Sequence, residues 1–312
     1  MIWALFLVLL GVFLLLVSTR AFMGSAIETS LALRISPLII GVTVVAIGTS
    51  LPELVVSFLA AIGNEPGLAI GNIVGSNIVN IFLVFPFSVL LRDLKMGISK
   101  TQKNANLLLL VTLVFFLANL LKLNNRMLGI LLLILALVFT LMEYRWGVLG
   151  RENEDIAYTR KEEKPLDLKT ILLLIVSLVG IFCGGGLIVR AVELISELSG
   201  YSTTFWGLSL AAIATSMPEL MFTIVAGRKA EQKAVTGNVL GSNIYNILLI
   251  GGITLLFSSI PKIPNLTWAF FIFSTLSLYG LVQYFKGRIV PKWIAYLFFL
   301  YFLVFLYSLK FT

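Results

Sequence analysis

Long apolar runs separated by short polar gaps fill this chain from end to end. A helix that crosses a bilayer needs about 20 mostly apolar residues. Ten runs qualify as candidate spans: 2–19, 37–62, 68–91, 105–121, 127–143, 168–190, 203–227, 234–258, 266–284 and 291–309. The longest polar stretch, Tyr144 to Lys169, holds Arg145, Arg151, Glu152, Glu154, Asp155, Arg160, Lys161, Glu162, Glu163 and Lys164. Its composition suits a solvated connector between two groups of five spans. The pattern predicts an all-α membrane protein with ten transmembrane helices. Residues 1–143 form a first five-helix unit, 144–167 a cytoplasmic connecting loop and 168–312 a second five-helix unit.

Composition supports this. The chain is 59% hydrophobic and 12% charged, with mean hydropathy +1.03. A soluble domain would be nearer half apolar and a quarter charged. Too few polar residues remain to cover a soluble surface, so the bilayer is the expected solvent.

The net charge of +8 does not indicate nucleic acid, because the basic residues lie in short loops between apolar runs. Counting residues at the span ends with the adjoining loop, 18 of 23 Lys and Arg belong to loops 1–2, 3–4, 5–6, 7–8 and 9–10 and 5 to the other loops and termini. The positive-inside rule makes the first set cytoplasmic and places both termini outside. The first run, Met1 to Ser18, has no basic residue before it and no clear A-x-A site, so it reads as a span and not as a removed signal peptide. No other targeting segment is evident, which points to the surface membrane of a prokaryote. Cys183 is the lone cysteine, so no intrachain disulfide can form. The absence of histidine removes the usual transition-metal ligand and the usual general base.

One passage occurs twice. Residues 46–80 align with 212–246 without a gap, at a constant offset of 166 and with 16 identities in 35. The first copy runs Ala46-Ile-Gly-Thr-Ser-Leu-Pro-Glu53, then Gly71-Asn-Ile-Val-Gly-Ser-Asn-Ile-Val-Asn80. The second runs Ala212-Ile-Ala-Thr-Ser-Met-Pro-Glu219, then Gly237-Asn-Val-Leu-Gly-Ser-Asn-Ile-Tyr-Asn246. Apolar matches are cheap in a membrane protein. Matches of Thr, Ser, Pro, Glu and Asn are not. Five spans separate the copies, an odd number, so the second enters the membrane from the opposite side. Such inverted repeats occur in many secondary transporters.

The repeated residues share one chemistry. Pro52 lacks an amide hydrogen and clashes with the preceding turn, so the helix is expected to kink or break there. Carbonyls near Ala46 to Thr49 are then free to face a cation. Irregular backbone at membrane depth is tolerated only against protein or a wet cavity. Pro218 acts alike on Ala212 to Glu219. Gly71, Gly75, Gly237 and Gly241 would admit close helix approach. Ser76 and Asn80, four residues apart, share a helix face, as do Ser242 and Asn246. The donors are all oxygen: two carboxylates, hydroxyls, amide carbonyls and backbone carbonyls. Hard cations such as Ca²⁺ and Na⁺ take this set. An ionised glutamate at the bilayer centre costs several kcal/mol even on the lenient scales. A divalent cation between two of them removes that cost and their mutual repulsion, and so do two or more Na⁺, or protons.

Blander readings are available. A single membrane glutamate can be a protonated helix contact, but two at symmetric positions, each behind Thr-Ser-x-Pro, argue for a ligand. Asn72 and Asn238 could serve packing only. Gly184-Gly185-Gly186 suits close packing or a sliding surface. Arg190, Glu193 and Glu197 mark a solvated extension of the sixth span.

At these motifs the sequence resembles the sodium/calcium exchanger family of the cation/calcium antiporter superfamily. The likeness covers nearly the whole chain: span number, inverted halves, central loop and both repeats. The small central loop matches the short prokaryotic type. The resemblance implies a core of spans 2–5 and 7–10, with spans 1 and 6 long, tilted and sliding across it. It implies a Ca²⁺ site at Glu53 and Glu219 with the carbonyls of Thr49 and Thr215. It implies Na⁺ sites at the Ala46 and Ala212 carbonyls and at Ser50, Ser216, Ser76 and Ser242, which share the two glutamates. The central polar pair is Asn80 and Asn246.

Three departures bear on this. Ala214 stands opposite Gly48, which stiffens the segment without removing a ligand, and Met217 replaces Leu51. The position of Asn246 is aspartate in some members, including potassium-dependent ones. With Asn in both copies the site has two carboxylates, which favours potassium independence. One Ca²⁺ neutralises two carboxylates, and so do two Na⁺ or two H⁺. Three Na⁺, the family habit, leave +1, worth about 2.3 kcal/mol at 100 mV.

The expected function is Na⁺/Ca²⁺ antiport, with Ca²⁺, Na⁺ and lipid as partners and no cofactor. The first rival is a Ca²⁺/H⁺ or other cation/proton antiporter. The proton-coupled branch usually carries G-N-x-x-E, whereas Gly71-Asn72-Ile73-Val74 is followed by Gly75. A cation channel fits two broken-helix sites around one cavity less well than alternating access does. An intramembrane aspartyl-type protease would place aspartates, not glutamates, outside any cation-ligand motif.

Overall fold

The computed structural model describes residues 1–32, 46–149, 167–228 and 232–311. Among them every regular element is helical. In chain order these are α1 (Ile2–Ala32), α2 (Ala46–Thr49), α3 (Leu51–Ile62), α4 (Pro66–Val79), α5 (Phe85–Leu91), α6 (Ser99–Leu120) and α7 (Asn125–Leu149). The second half comprises α8 (Leu168–Ser199), α9 (Thr203–Trp206), α10 (Ala212–Thr215), α11 (Met217–Arg228), α12 (Gln232–Tyr245), α13 (Gly251–Phe257), α14 (Asn265–Tyr284) and α15 (Lys292–Ser308). Wide π turns join α4 to α5 (Asn80–Val84), α9 to α10 (Gly207–Ala211) and α12 to α13 (Asn246–Ile250).

Counted through these turns, eight helical stretches among the described residues are long and apolar enough to cross a membrane. Two more apolar helices, α3 and α15, are shorter. The expected second span, 37–62, lies partly outside the described residues. The first and sixth spans exceed their expected 2–19 and 168–190. Hydropathy falls at Arg20 and Arg190, but the backbone ladder does not depend on hydropathy and continues to Ala32 and Ser199. Only at Gly200, with φ +74, does α8 stop, in the left-handed conformation that glycine adopts without strain. Arg190 and Glu193 pair at 2.9 Å on that extension.

The two long helices lie along each other. At Gly11 and Gly184 each helix brings its carbonyl within 3.0 Å of where the other's Cβ would be. A Cβ on Gly185 would meet the Val55 side chain at 2.6 Å. The glycine triplet therefore seats α8 against α1 and α3. Leu15, Val56, Ile188 and Val192 are buried in this layer. A larger apolar core, with Phe82, Phe85, Phe115, Phe271 and Phe305 fully buried, unites α4–α7 with α12–α15. Large apolar side chains also cover the outside, among them Ile2, Val176 and Leu303. That surface fits a lipid solvent.

Loops pair in a consistent way. The 94–96 and 287–290 segments exchange backbone hydrogen bonds, with Val290 N donating to Leu94 O at 2.9 Å and Met96 N to Arg288 O at 2.9 Å. Thr203 Oγ1 donates to Glu65 at 3.0 Å, and Thr170 Oγ1 to Glu28 at 3.1 Å. Each pair joins gaps separated by an even number of expected spans.

The halves interlock at the motif glycines. α4 packs against α9, α10 and the π turn between them. A Cβ on Gly71 would meet Thr204 O at 3.0 Å, and one on Gly75 would meet Leu208 O at 2.7 Å. Gly237, expected to behave like Gly71, has open space instead because it faces outward. On the other flank of the core, α7 holds α12. Tyr245 stacks edge-on with Phe139, and its hydroxyl lies 3.0 Å from Thr140 Oγ1. Nearby, the buried Glu143 carboxylate pairs with Lys100 at 2.8 Å and accepts from Asn104 Nδ2 at 2.9 Å.

Candidate functional site

Both broken helices break alike. α2 ends at Thr49, Ser50 leaves helical geometry with φ −88 and ψ 7, and α3 begins with Pro52 in its first turn. α10 ends at Thr215, Ser216 has φ −80 and ψ 5, and α11 begins at Met217 with Pro218 following. The interruption is one residue long. Beyond it the ladder resumes at once, with Leu54 N donating to Ser50 O and Leu220 N to Ser216 O. Pro52 and Pro218 supply no N–H, so the carbonyls four residues earlier, at Gly48 and Ala214, lose their helical donors. The Ala212 carbonyl keeps a backbone donor, Ser216 N at 3.1 Å. Ala46 opens α2.

Glu53 and Glu219 are fully buried, each in the first turn after its break. Each carboxylate is served by the opposite half. Ser216 Oγ donates to Glu53 Oε1 at 3.2 Å, and Ser50 Oγ donates to Glu219 Oε1 at 3.3 Å. The threonines cross over too. Thr215 Oγ1 donates to Asn72 Oδ1 at 3.1 Å and Thr49 Oγ1 to Asn238 Oδ1 at 3.2 Å. Ser76 Oγ lies 3.3 Å from Thr215 Oγ1, and Ser242 Oγ lies 3.4 Å from Thr49 Oγ1. All these groups are buried.

Asn80 and Asn246 are buried completely, each at the first position of a π turn. A π turn shifts the helical register by one residue and is frequent at functional positions. The Asn80 turn packs on α11, which bears Glu219, and the Asn246 turn packs on α3, which bears Glu53. Both side-chain polar atoms of each asparagine lack a hydrogen-bond partner among the described residues, as do Glu53 Oε2 and Glu219 Oε2. Unpaired buried polar atoms are costly. Four of these six atoms are oxygens at paired positions, the kind of atom a hard cation takes. No third acidic, histidine or cysteine side chain joins the two glutamates among the described residues.

The sequence reading attached no role to Ser57 or Thr223, and left Asn72 and Asn238 between packing and function. Asn72 and Asn238 contact the motif threonines directly. Asn72 Nδ2 also donates to Ser57 Oγ at 3.0 Å. Ser57 and Thr223 align as unlike residues, so an identity-based reading of the repeat passes over them. Their hydroxyls, one turn after each glutamate, were the signal.

Known proteins match this chain in sequence and fold. The model of the family described as sodium/calcium exchanger protein matches residues 3–145 and again 169–311. The sodium/calcium exchanger MaX1 of Methanosarcina acetivorans is 30% identical over 335 residues, covering 96% of each chain. An uncharacterized membrane protein of Methanocaldococcus jannaschii is 32% identical over 308 residues, covering 97% of this chain and 96% of its own. A solved structure of the sodium-calcium exchanger NCX_Mj, soaked with 2.5 mM Na⁺ and 10 mM Sr²⁺, matches with TM-score 0.67 and 31% identity. That match covers 98% of this chain and 99% of the other.

Proposed function

The chain belongs to the sodium/calcium exchanger family, and from that premise we propose that it exchanges Na⁺ for Ca²⁺ by alternating access, with Glu53 and Glu219 as the central cation site. Members of this family are transporters and not enzymes, and the chain is an integral membrane protein of the prokaryotic cell-membrane type. Antiport of Ca²⁺ against another cation is the family-level activity. Sodium as the coupling ion and the identity of the ligands are the further steps.

The observation that carries the ligand assignment is the crossed pair Ser216–Glu53 and Ser50–Glu219. Each carboxylate has one oxygen held by the opposite half and one oxygen, Oε2, without a partner among the described residues. Ca²⁺ takes Glu53 and Glu219 with the Thr49 and Thr215 carbonyls. Na⁺ takes the Ala46 and Ala212 carbonyls and Ser50, Ser216, Ser76 and Ser242, sharing the glutamates. Asn80 and Asn246 line the centre. The Ala212 carbonyl still accepts from Ser216 N, so a cation there uses its second lone pair.

Ten spans with both termini outside complete the reading. The pairing of loops 3–4 with 9–10, 2–3 with 6–7 and 1–2 with 5–6 supports the span parity this needs. Residues 1–143 and 168–312 are then two inverted repeats joined by a cytoplasmic loop over 144–167. The layer of α1 and α8 on the larger core supports sliding of the long pair.

Vesicles loaded with Na⁺ and diluted into Na⁺-free medium with labelled Ca²⁺ test the coupling. Uptake driven by the sodium gradient is expected. Uptake that ignores that gradient and follows a pH gradient would replace this reading with Ca²⁺/H⁺ exchange.

A further inference from the structure

The serine–glutamate and threonine–asparagine contacts of the two halves match, but the anchoring of the asparagines does not. In the first half Asn72 is anchored on its nitrogen side. Its Nδ2 donates to Ser57 Oγ at 3.0 Å and lies 3.4 Å from the Glu53 carbonyl oxygen. The second half holds the same two groups at the same offset, Asn238 and Thr223. There Asn238 Nδ2 and Thr223 Oγ1 are both buried and both without a hydrogen-bond partner among the described residues.

A carboxamide is a rigid plane, so fixing its nitrogen fixes its oxygen. Asn72 Oδ1 is the acceptor nearest to Thr215 Oγ1, at 3.1 Å against 3.4 Å for the Ala212 carbonyl. The contact with Asn72 is thus the shorter of the two, and it holds Thr215 at the edge of the helix break. The next residue, Ser216, donates to Glu53. Ser57, Asn72, Thr215, Ser216 and Glu53 thus form one chain of fixed positions. In the second half Asn238 Oδ1 accepts from Thr49, but its nitrogen side has no anchor among the described residues.

We propose that Asn72, braced by Ser57, is a positioning residue for the cation site, and that the site is therefore unequal. The half built on Glu53, Thr215 and Ser216 is set before a cation arrives. The half built on Glu219, Thr49 and Ser50 adjusts as the cation binds. Neither Ser57 nor Asn72 need touch the ion. The inference rests on the reading of Glu53 and Glu219 as the cation ligands.

The test compares Ser57→Ala with Thr223→Val in proteoliposomes, measuring the half-saturating Ca²⁺ and Na⁺ concentrations and the maximum rate separately. Losing one buried hydrogen bond that positions a ligand should raise half-saturation about 5-fold in Ser57→Ala, with the maximum rate kept. Thr223→Val, which deletes a hydroxyl without a hydrogen-bond partner among the described residues, should match the wild type on both. If Ser57→Ala does not reach the membrane, Ser57→Cys keeps the volume and accepts only weakly, and should shift half-saturation the same way. The inference is overturned if half-saturation is unchanged in the Ser57 variants, if only the maximum rate falls, or if Thr223→Val shifts as much. A wild-type protein that neither binds nor moves Ca²⁺ or Na⁺ overturns the cation reading and this inference with it. A wild type that transports while the two variants behave alike overturns this inference alone.

Discussion

Ser50 Oγ lies 3.3 Å from Glu219 Oε1, so a hydroxyl of the first half serves the carboxylate of the second. The reverse pair, Ser216 and Glu53, closes at 3.2 Å. Neither half can build its own carboxylate site. Each glutamate is oriented by the broken helix of the other, so the carboxylate pair belongs to the seam between the halves.

Glu53→Gln and Glu219→Gln keep size and hydrogen-bonding capacity while removing charge. Each should reduce Na⁺-dependent Ca²⁺ uptake at least about 100-fold, since losing about 3 kcal/mol of cation stabilisation costs that much. Both variants should still purify as folded protein, because the crossed serine contacts need only an acceptor. Normal transport in either would remove the paired-carboxylate site.

Ser50→Ala and Ser216→Ala test the crossing itself. A hydrogen bond to a charged group contributes about 1.5–3 kcal/mol, equivalent to roughly 10- to 100-fold in affinity. Both variants should show cation affinity weakened within that range, measured by calorimetry on purified protein. A loss confined to folding yield, with affinity intact, would show that the serines serve packing alone.

The motif glycines are expected to separate. Gly75→Ala forces a methyl to within 2.7 Å of the Leu208 carbonyl and the Ala212 side chain. The helices must move apart, at a cost of about 1–3 kcal/mol. Gly237→Ala meets nothing within 4 Å and should be neutral or slightly stabilising through helix propensity. Thermal unfolding of the two variants in detergent decides it, with Gly75→Ala alone falling in midpoint.

Lys100→Met removes the ion pair of the buried Glu143 carboxylate and leaves its hydrogen bond from Asn104 Nδ2. Lys100 is half exposed, and solvent screens its charge, so the expected loss is about 1–2 kcal/mol. The variant should unfold at lower temperature, and its folded fraction should keep wild-type half-saturation for both ions. A change in ion affinity without a change in stability would mean that this pair acts on the site directly.

Much of this was legible in the chain. Ten apolar runs, their basic loops and the passage repeated at 166 residues follow from which residues are apolar and where the carboxylates, hydroxyls and prolines stand. These are local properties, so they announced helices, breaks close to Pro52 and Pro218, and the two glutamates as a repeated pair. The ends of α1 and α8 were not legible, because hydropathy drops before the backbone ladder ends. Gly71 and Gly237 read alike in the repeat, yet one faces Thr204 O and the other open space. Partnership across the seam was hidden for the same reason: which hydroxyl meets which carboxylate depends on how two distant helices cross. Ser50 is drawn to Glu219 and not to Glu53, three residues away on its own helix, only because the halves interlock through Gly71 and Gly75. The inequality of Asn72 and Asn238 belongs to the same level, since a serine and a threonine with one chemistry differ in what packing lets them reach.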